Sequence, residues 1–287
     1  MDGISRTGAL EGLALRPIGQ NPAMGRWRTE AMRAHATPRL LHITRGQGRI
    51  TLAGLTSGYG PNNLVFIPAG TMYGYELGAG VHGQMLTIPR AMAGEWPEEA
   101  VHLRLKEVVA QRDIASAFEA LERELRSDSP GAGRAAHYHL GLLAIQLQRQ
   151  LAATGPSTDA RSGASAARLV AAYTDLVERD FRQGLPVAHY ARALGVTPTH
   201  LSRCCRQTCG RPAHALLTDR VLYEARLLLR DSHLPVAAIS RALGYRSPAY
   251  FARHFHDKTG RTPSAFRREG AADPASKRKP TGQTSQS

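Results

Sequence analysis

Two segments of this chain are near copies of each other, and that repeat constrains the fold more than any other feature. Residues 186–195 read PVAHYARALG and residues 235–244 read PVAAISRALG, with seven of ten positions identical. The likeness continues past one inserted residue, so that Pro198, Arg203, Gly210 and Arg211 match Pro248, Arg253, Gly260 and Arg261. Two units are too few for a solenoid, which needs about three to bury its faces. A duplicated helix–turn–helix accounts for the repeat better.

In the first copy Val187, Ala191 and Leu194 recur at helical spacing and give one apolar face. Gly195 ends that helix, since glycine tolerates the left-handed turn that a helix stop often uses. Thr197 can cap a second helix, and Pro198 suits its first position, where the amide proton would be unpaired anyway. Leu201 and Cys205, four residues apart, face inward. The second copy repeats the pattern with Val236, Ile239 and Leu243, the stop Gly244, the start Ser247-Pro248, and the inward pair Phe251 and Phe255. Two helices joined by a short glycine turn fit the helix–turn–helix, whose second helix enters the major groove of DNA. The outward faces of those second helices are then the candidate readers: Thr199, His200, Ser202, Arg203 and Arg206 in one, Ala249, Tyr250, Ala252, Arg253 and His256 in the other. An ordinary solvated face is the plain alternative for a single amphipathic helix. The duplication, the matched caps and the charge distribution favour DNA.

The chain has 287 residues, 42% of them hydrophobic, enough for two domains with real cores. Its formal charge of +14 is uneven: residues 1–164 hold 17 Arg or Lys against 14 Asp or Glu, and residues 165–287 hold 20 against 9. A basic half beside a near-neutral half points to a nucleic-acid module joined to something else. An acidic membrane surface would also attract such charge, but no apolar stretch approaches the ~18 residues of a membrane span. The N-terminus, MDGISRTGAL, lacks the basic start and apolar core of a secretory signal, so a cytoplasmic location with no membrane partner is expected. Cys204, Cys205 and Cys209 sit together without the spacing of a metal site. They read as small buried hydrophobes, with a thiol switch as the alternative.

Residues 35–90 read as short strands at 40–44, 50–52, 64–67, 72–75 and 81–88, separated by turns rich in Gly, Pro and Asn. Closely spaced strands of this kind suggest a small barrel or sandwich. Strand alternation puts Leu40 and His42 on one face and Leu41 and Ile43 on the other. Residues 98–127 read as helical and charged. Residues 134–152 carry a second helical stripe of Leu140, Leu143 or Ala144, Leu147 and Leu151, which either packs on its own domain or pairs with a twin in a homodimer.

Residues 167–268 resemble the AraC/XylS family of bacterial transcription regulators, on VAHYARALGVTPTHLSRCCRQTCG followed by ARLLLRDSHLPVAAISRALGYRSPAYFARHFHDKTGRTPSAFR. Cys204-Cys205 replaces the bulkier apolar pair usual in the first copy. RGQGRITLAG and FIPAGTMYGYE make the N-terminal region similar to the cupin-type sensor domain common in that family. The resemblance implies an α+β protein: an N-terminal cupin-like β-barrel with flanking helices, and a C-terminal all-α domain with two helix–turn–helix motifs joined by a connector helix at 216–230. The expected boundaries are 1–152 for the effector-sensing and dimerisation domain, 153–166 for a linker, 167–270 for the DNA-binding domain, and 271–287 for a disordered basic tail. Metal-dependent cupins use a His-x-His pair, a Glu and a later His. Here only His35 lies near the first position and Tyr73 stands where the later His would be, so no metal and no cofactor is expected.

The resemblance further implies that Thr199, Ser202 and Arg203 in the first copy, and Ala249, Ala252 and Arg253 in the second, reach base edges of double-stranded DNA. Thr197, Arg206, Arg246, Ser247, Lys258 and Arg261 are the expected phosphate partners. His35, His42, Tyr73 and Tyr75 are candidates for a small-molecule effector pocket, and RNA polymerase is a further expected partner. The expectation is a sequence-specific regulator and not an enzyme. Two other classes remain open: a cupin oxygenase or isomerase fused to a DNA module, and an architectural DNA binder whose N-terminus only dimerises.

Overall fold

A computed structural model of the protein describes residues 11–18, 27–154 and 164–272. Among the described residues eight strands come before most of the helices: β1 (Ala14–Ile18), β2 (Arg39–Arg45), β3 (Gly48–Leu52), β4 (Leu55–Tyr59), β5 (Asn63–Ile67), β6 (Tyr73–Leu77), β7 (His82–Thr87) and β8 (Val101–Arg104). They form a five-stranded sheet in the order β1-β7-β2-β5-β8 and a three-stranded sheet in the order β4-β3-β6, all pairings antiparallel. Leu41, Ile43, Val65, Ile67 and Met85 of the larger sheet share one core with Ile50, Leu52, Tyr73 and Tyr75 of the smaller.

Local sequence explains these elements. β5 is an unbroken apolar run after Asn63 and is buried throughout, as a strand covered on both faces must be. In β2, Leu41 and Ile43 point between the sheets, while Leu40 and His42 point toward helices α2 (Val108–Arg126) and α3 (Ala132–Thr154). Ile114, Phe118 and Leu121 of α2 and Leu140, Leu143 and Leu147 of α3 cover that outer face, packing with Leu40, Leu64, Phe66 and Leu86. The stripe of α3 therefore serves its own domain. β3 and β4 meet at Ala53 and Gly54, with φ of +48° and +77°, a backbone twist suited to a tight hairpin.

Three strands depart from the sequence reading. Helix was expected over 98–127, but β8 occupies Val101–Arg104, pairs with β5, and the helix starts at Val108. Its VHLR pattern alternates, yet it is too short to stand out beside the long helix that follows. β1 carries Pro17, which an edge strand tolerates. β4 reads LTSGY, with little of the β-branched or aromatic content that marks a strand. The residues between α3 and α4 (Ala164–Asp180), most of the expected linker, lie outside the described residues, as does the expected tail beyond Ala272.

The C-terminal domain continues with α5 (Val187–Ala193), α6 (Pro198–Cys209), α7 (Ala213–Asp231), α8 (Val236–Ala242), α9 (Pro248–Thr259) and α10 (Pro263–Ala272). The repeat gives α5–α6 and α8–α9, and α7 connects them. Arg220, buried in α7, donates to Glu178 of α4 at 2.5 and 3.0 Å and to Glu224 at 3.0 Å, and lies 3.9 Å over the Phe181 ring. Arg182 adds a bond to Glu224 at 2.6 Å. This network ties the connector to α4 and to the chain that enters α5.

The two domains touch. Trp27, in the short helix α1 (Trp27–Glu30), meets Tyr223 of α7 and Phe266 of α10 edge-on, at ring separations of 5.7 and 5.9 Å. Met32 and Met72 are buried in the C-terminal core, and the Met32 amide donates to Asp219 at 3.4 Å. The β3–β4 turn lies on α4, where a Cβ added to Gly54 would stand 2.3 Å from Val170.

Replacing Arg220 with Met leaves Glu178 and Glu224 without their buried cation. The expected loss is about 3–5 kcal/mol, read from urea unfolding of the full chain. A loss within the ~1 kcal/mol of an exposed pair would show that the network holds nothing together.

Candidate functional site

The second helix of each repeat copy begins in the same way. The Thr197 hydroxyl accepts from the His200 amide at 3.1 Å ahead of Pro198, and the Ser247 hydroxyl accepts from the Tyr250 amide at 3.4 Å ahead of Pro248. Each helix also ends alike, on a left-handed glycine with φ of +71° at Gly210 and +73° at Gly260. Leu201 and Cys205 of α6 and Phe251 and Phe255 of α9 are fully buried, which fixes the faces left outward. On α6 that leaves Thr199, Arg203 and Arg206 exposed and Ser202 half-buried; on α9 it leaves Ala249, Arg253 and Lys258 exposed and Ala252 half-buried. Thr197 and Arg246 are exposed beside the two starts, and Ser247 is half-buried.

The geometry refines the roles these residues can take. The Arg203 guanidinium meets His200 Nδ1 at 3.0 Å, which orients its fork on the outer face. Arg261 is ion-paired with Glu269 of α10, so a phosphate there would have to compete with a carboxylate. Capping occupies the Thr197 and Ser247 oxygens as acceptors. A phosphate can still take the hydroxyl proton and the first-turn amides. The sequence reading placed Tyr250 on the outward face but passed over its partners beside Arg246: the Tyr245 hydroxyl bonds His254 Nδ1 at 2.8 Å and the exposed Tyr250 ring stacks on His254.

Two glycines, one of them outside the repeat, bring the turn of the second unit against the chain that enters the first. Gly244, at φ +73°, sits backbone to backbone on Gly184, at φ +68°. A Cβ added to Gly244 would lie 2.3 Å from the Gly184 nitrogen, and one added to Gly184 would lie 2.2 Å from the Gly244 oxygen. The counterpart Gly195 has φ +69° but open space around it. Only the glycine of the second copy carries both demands.

Cys204, Cys205 and Cys209 are buried and unbridged. Burial, reinforced by Cys209 and Cys204, pushes the Cys205 thiol up to about 12, so it stays protonated and packs as a small hydrophobe.

Of the four candidate effector residues, the structure brings three together. His35 and Tyr73 have ring centres 5.7 Å apart, and Tyr75 stacks on Tyr73 at 6.4 Å. His42 does not join them: it lies on the opposite face of β2, 5.0 Å from the Phe118 ring, where burial holds it near pKa about 4. Burial, with Arg39 and Arg33 close by, lowers His35 to about 3. Arg33, which the sequence reading missed, is buried over the rings of Tyr73 at 4.4 Å, Tyr75 at 4.8 Å and Tyr223 at 5.9 Å. Among the described residues, no three His, Cys, Asp or Glu side chains gather as a metal site, and no helix is long and apolar enough to cross a membrane.

Residues 24–143 match the family profile described as AraC-like ligand binding domain, and residues 190–269 match one described as helix-turn-helix domain. The HTH-type transcriptional regulator CdhR of Pseudomonas aeruginosa is 30% identical over 250 residues, covering 83% of this chain and 69% of that one. The chain belongs to the AraC family. The arabinose operon regulatory protein of Salmonella typhimurium is 27% identical to it over 245 residues, 79% of this chain and 83% of the relative. Among solved structures, ToxT from Vibrio cholerae aligns at 10% identity and a TM-score of 0.41, over 90% of this chain and 96% of that one. This AraC-family chain is a transcription regulator with an N-terminal ligand-binding domain and a C-terminal DNA-binding domain.

The two turn glycines of this regulator separate strain from geometry. Gly195→Ala adds a left-handed alanine, a cost of about 1–2 kcal/mol, and is expected to keep DNA affinity. Gly244→Ala adds the same strain plus the clash with Gly184, and is expected to lose DNA affinity at temperatures where it remains folded. Filter binding to fragments selected from a random oligonucleotide pool checks both. Equal affinity of the two variants would mean that the Gly184 contact does not set the spacing.

Proposed function

We propose that this regulator reads an asymmetric DNA site with α6 and α9, and that a small effector bound by the sheet domain controls that binding. The observation that carries the reading is the pair of identically capped helices with basic outer faces, set against each other by the Gly244–Gly184 contact. On this reading Arg203 and Arg253 reach guanine edges, Thr199 and Ser202 add hydroxyls, and Ala249 and Ala252 offer methyl contact to thymine. Arg206, Arg246, Lys258 and the capped starts at Thr197 and Ser247 position the backbone, with Arg261 joining when phosphate displaces Glu269. The protein is not an enzyme on this reading. It acts with RNA polymerase in the cytoplasm, as the family's role in transcription suggests. Stoichiometric metal together with turnover of a substrate by the purified chain would favour the enzyme alternative.

We further infer a homodimer. Tyr138, Leu142 and Ile145 are exposed on α3 by 62%, 54% and 44%, at a spacing that makes one outward stripe. A second copy of α3 fits this stripe, because the inward stripe of the same helix is already filled by the protein's own α2 and five-stranded sheet. Leu142→Asp is expected to convert a dimer to a monomer in sedimentation velocity while leaving the thermal transition in place. An unchanged sedimentation coefficient would rule out this face.

Arg203→Ala is expected to cost about 1–3 kcal/mol at one base pair of the selected site and little on random DNA. Lys258→Ala is expected to weaken all sequences alike and to reduce the salt slope by about one. Footprinting and salt titrations measure both. Equal losses on specific and random DNA for Arg203→Ala would remove it from the reading face.

A further inference from the structure

The C-terminal domain holds a half-open cavity of about 450 Å³, and every residue that lines it belongs to that domain. Protein interiors pack closely and leave few voids larger than a water molecule. This space has the size that small ligands occupy. Phe181, Val221 and Leu243 in its wall are buried and Leu217 is half-buried, so much of the lining is apolar. The Gly184–Gly244 contact forms part of the same wall.

Aromatic rings form another side. Tyr250 lies nearly parallel to His254, at an interplanar angle of 8° and a ring separation of 6.1 Å, and keeps 57% of its surface exposed. The Tyr245 hydroxyl holds the imidazole through Nδ1. Burial and the charge of Lys258 lower the His254 pKa, which keeps that ring neutral. Arg246 is exposed at the same cavity and makes no ion pair among the described residues. The Thr218 hydroxyl, half-buried there, has no hydrogen-bond partner among the described residues. The first repeat copy has no such group. Val196 takes the place of Tyr245, since each amide bonds the carbonyl five residues back, of Ala191 and of Ser240. His200 and Cys204 stand where Tyr250 and His254 do, and Arg246 is the inserted residue. The first unit builds the shared frame without these four side chains, so the frame alone does not require them.

We propose that this cavity binds a planar bicyclic aromatic molecule carrying one hydroxyl, in competition with DNA. A flat ring stacks on the neutral, parallel faces of Tyr250 and His254. Its π face attracts the Arg246 guanidinium, and its hydroxyl pairs with that of Thr218. A saturated molecule of the same size fills the volume but offers no such face. The competition rests on the reading of α9 as a DNA reader. Arg246 and Ser247, its proposed phosphate partners, both line the cavity, so an occupant stands where the duplex backbone must come.

The test uses 2-naphthol and its saturated counterpart decahydro-2-naphthol with the full chain. Thermal unfolding reads binding, and the anisotropy of a labelled fragment selected from a random oligonucleotide pool reads DNA affinity. 2-Naphthol is expected to raise Tm with rising concentration and to release the fragment, and the saturated alcohol to do neither. Leu217→Trp, which fills the cavity, is expected to bind the fragment as the parent chain does and to lose both responses. Thr218→Val, a substitution of equal size, is expected to keep the ligand-free Tm and to weaken the response to 2-naphthol roughly 2- to 10-fold, as the loss of one hydrogen bond does. It decides the test if Leu217→Trp lacks a cooperative transition. No shift with 2-naphthol, an equal shift with decahydro-2-naphthol, or a shift unchanged in both variants overturns the proposal. A shift that the variants lose, without release of the fragment, keeps the site and ends the competition. If the ligand-free chain prefers no fragment, the DNA reading fails by itself, and the Tm measurements still decide the cavity.

Discussion

Backbone pressed on backbone, at Gly244 and Gly184, holds the α8–α9 turn against the chain that enters α5. The first helices of the repeat, α5 and α8, are seven residues each, well below the length at which a helix is stable alone in water. Their geometry must come from packing. The second unit receives it from two sides, from α7 and from the loop that carries Gly184. A side chain at either glycine would push the α8–α9 turn away from the chain entering α5, and the separation of α6 and α9 would change with it. DNA tolerates little of that, because successive major-groove segments on one face recur every 34–36 Å or so. The Arg220 network works toward the same end by holding α4, α7 and the segment before Gly184 as one body.

The seam between the domains has a different character. Its apolar part, Trp27, Met32 and Met72 against α7 and α10, has an ordinary origin in the burial of large side chains. Its polar part does not close in the same way. Arg220 and Arg33 are both buried guanidiniums within reach of α7, but one is matched by carboxylates and the other by ring faces and carbonyls. Ring faces attract a cation by about 0.5–2 kcal/mol, less than a hydrogen-bonded carboxylate gives in the same setting.

The repeat was legible in the sequence because its signals are local. A capping Thr or Ser, a proline after it, a glycine stop and an apolar spacing all lie within a dozen residues of each other, and the helices fall where those signals put them. The outward residues of α6 and α9 follow from the same logic, whereas the α7 connector was expected from the family resemblance. What was not legible depends on distant partners. Gly184 carries no mark of the contact it makes, since Gly244 lies sixty positions away in the chain. Alternation in β2 separated His42 from Leu41, but only the placement of α2 reveals that the His42 side faces Phe118. Arg33 reads as a loop cation until β6 and α7 close around it. The short strands β1, β4 and β8 are made by their neighbours more than by their own residues.

The two copies, alike in frame, differ in what they present. The α9 unit is packed with Phe251 and Phe255 and leaned on by Gly184, and its outer face offers Arg253 beside alanines at 249 and 252. The α6 unit is packed with Leu201 and small thiols, and its outer face carries hydroxyls and an arginine already oriented by His200. On the proposed reading the labour divides accordingly. Methyl groups discriminate only the thymine edge, whereas hydroxyls and a guanidinium fork distinguish donors from acceptors. The second unit then adds Arg253 and the phosphate contacts of Arg246, Lys258 and the helix start, and the first reads the bases more sharply. On the same reading the two copies share a frame because spacing demands it, and their faces differ because the first discriminates bases more sharply than the second.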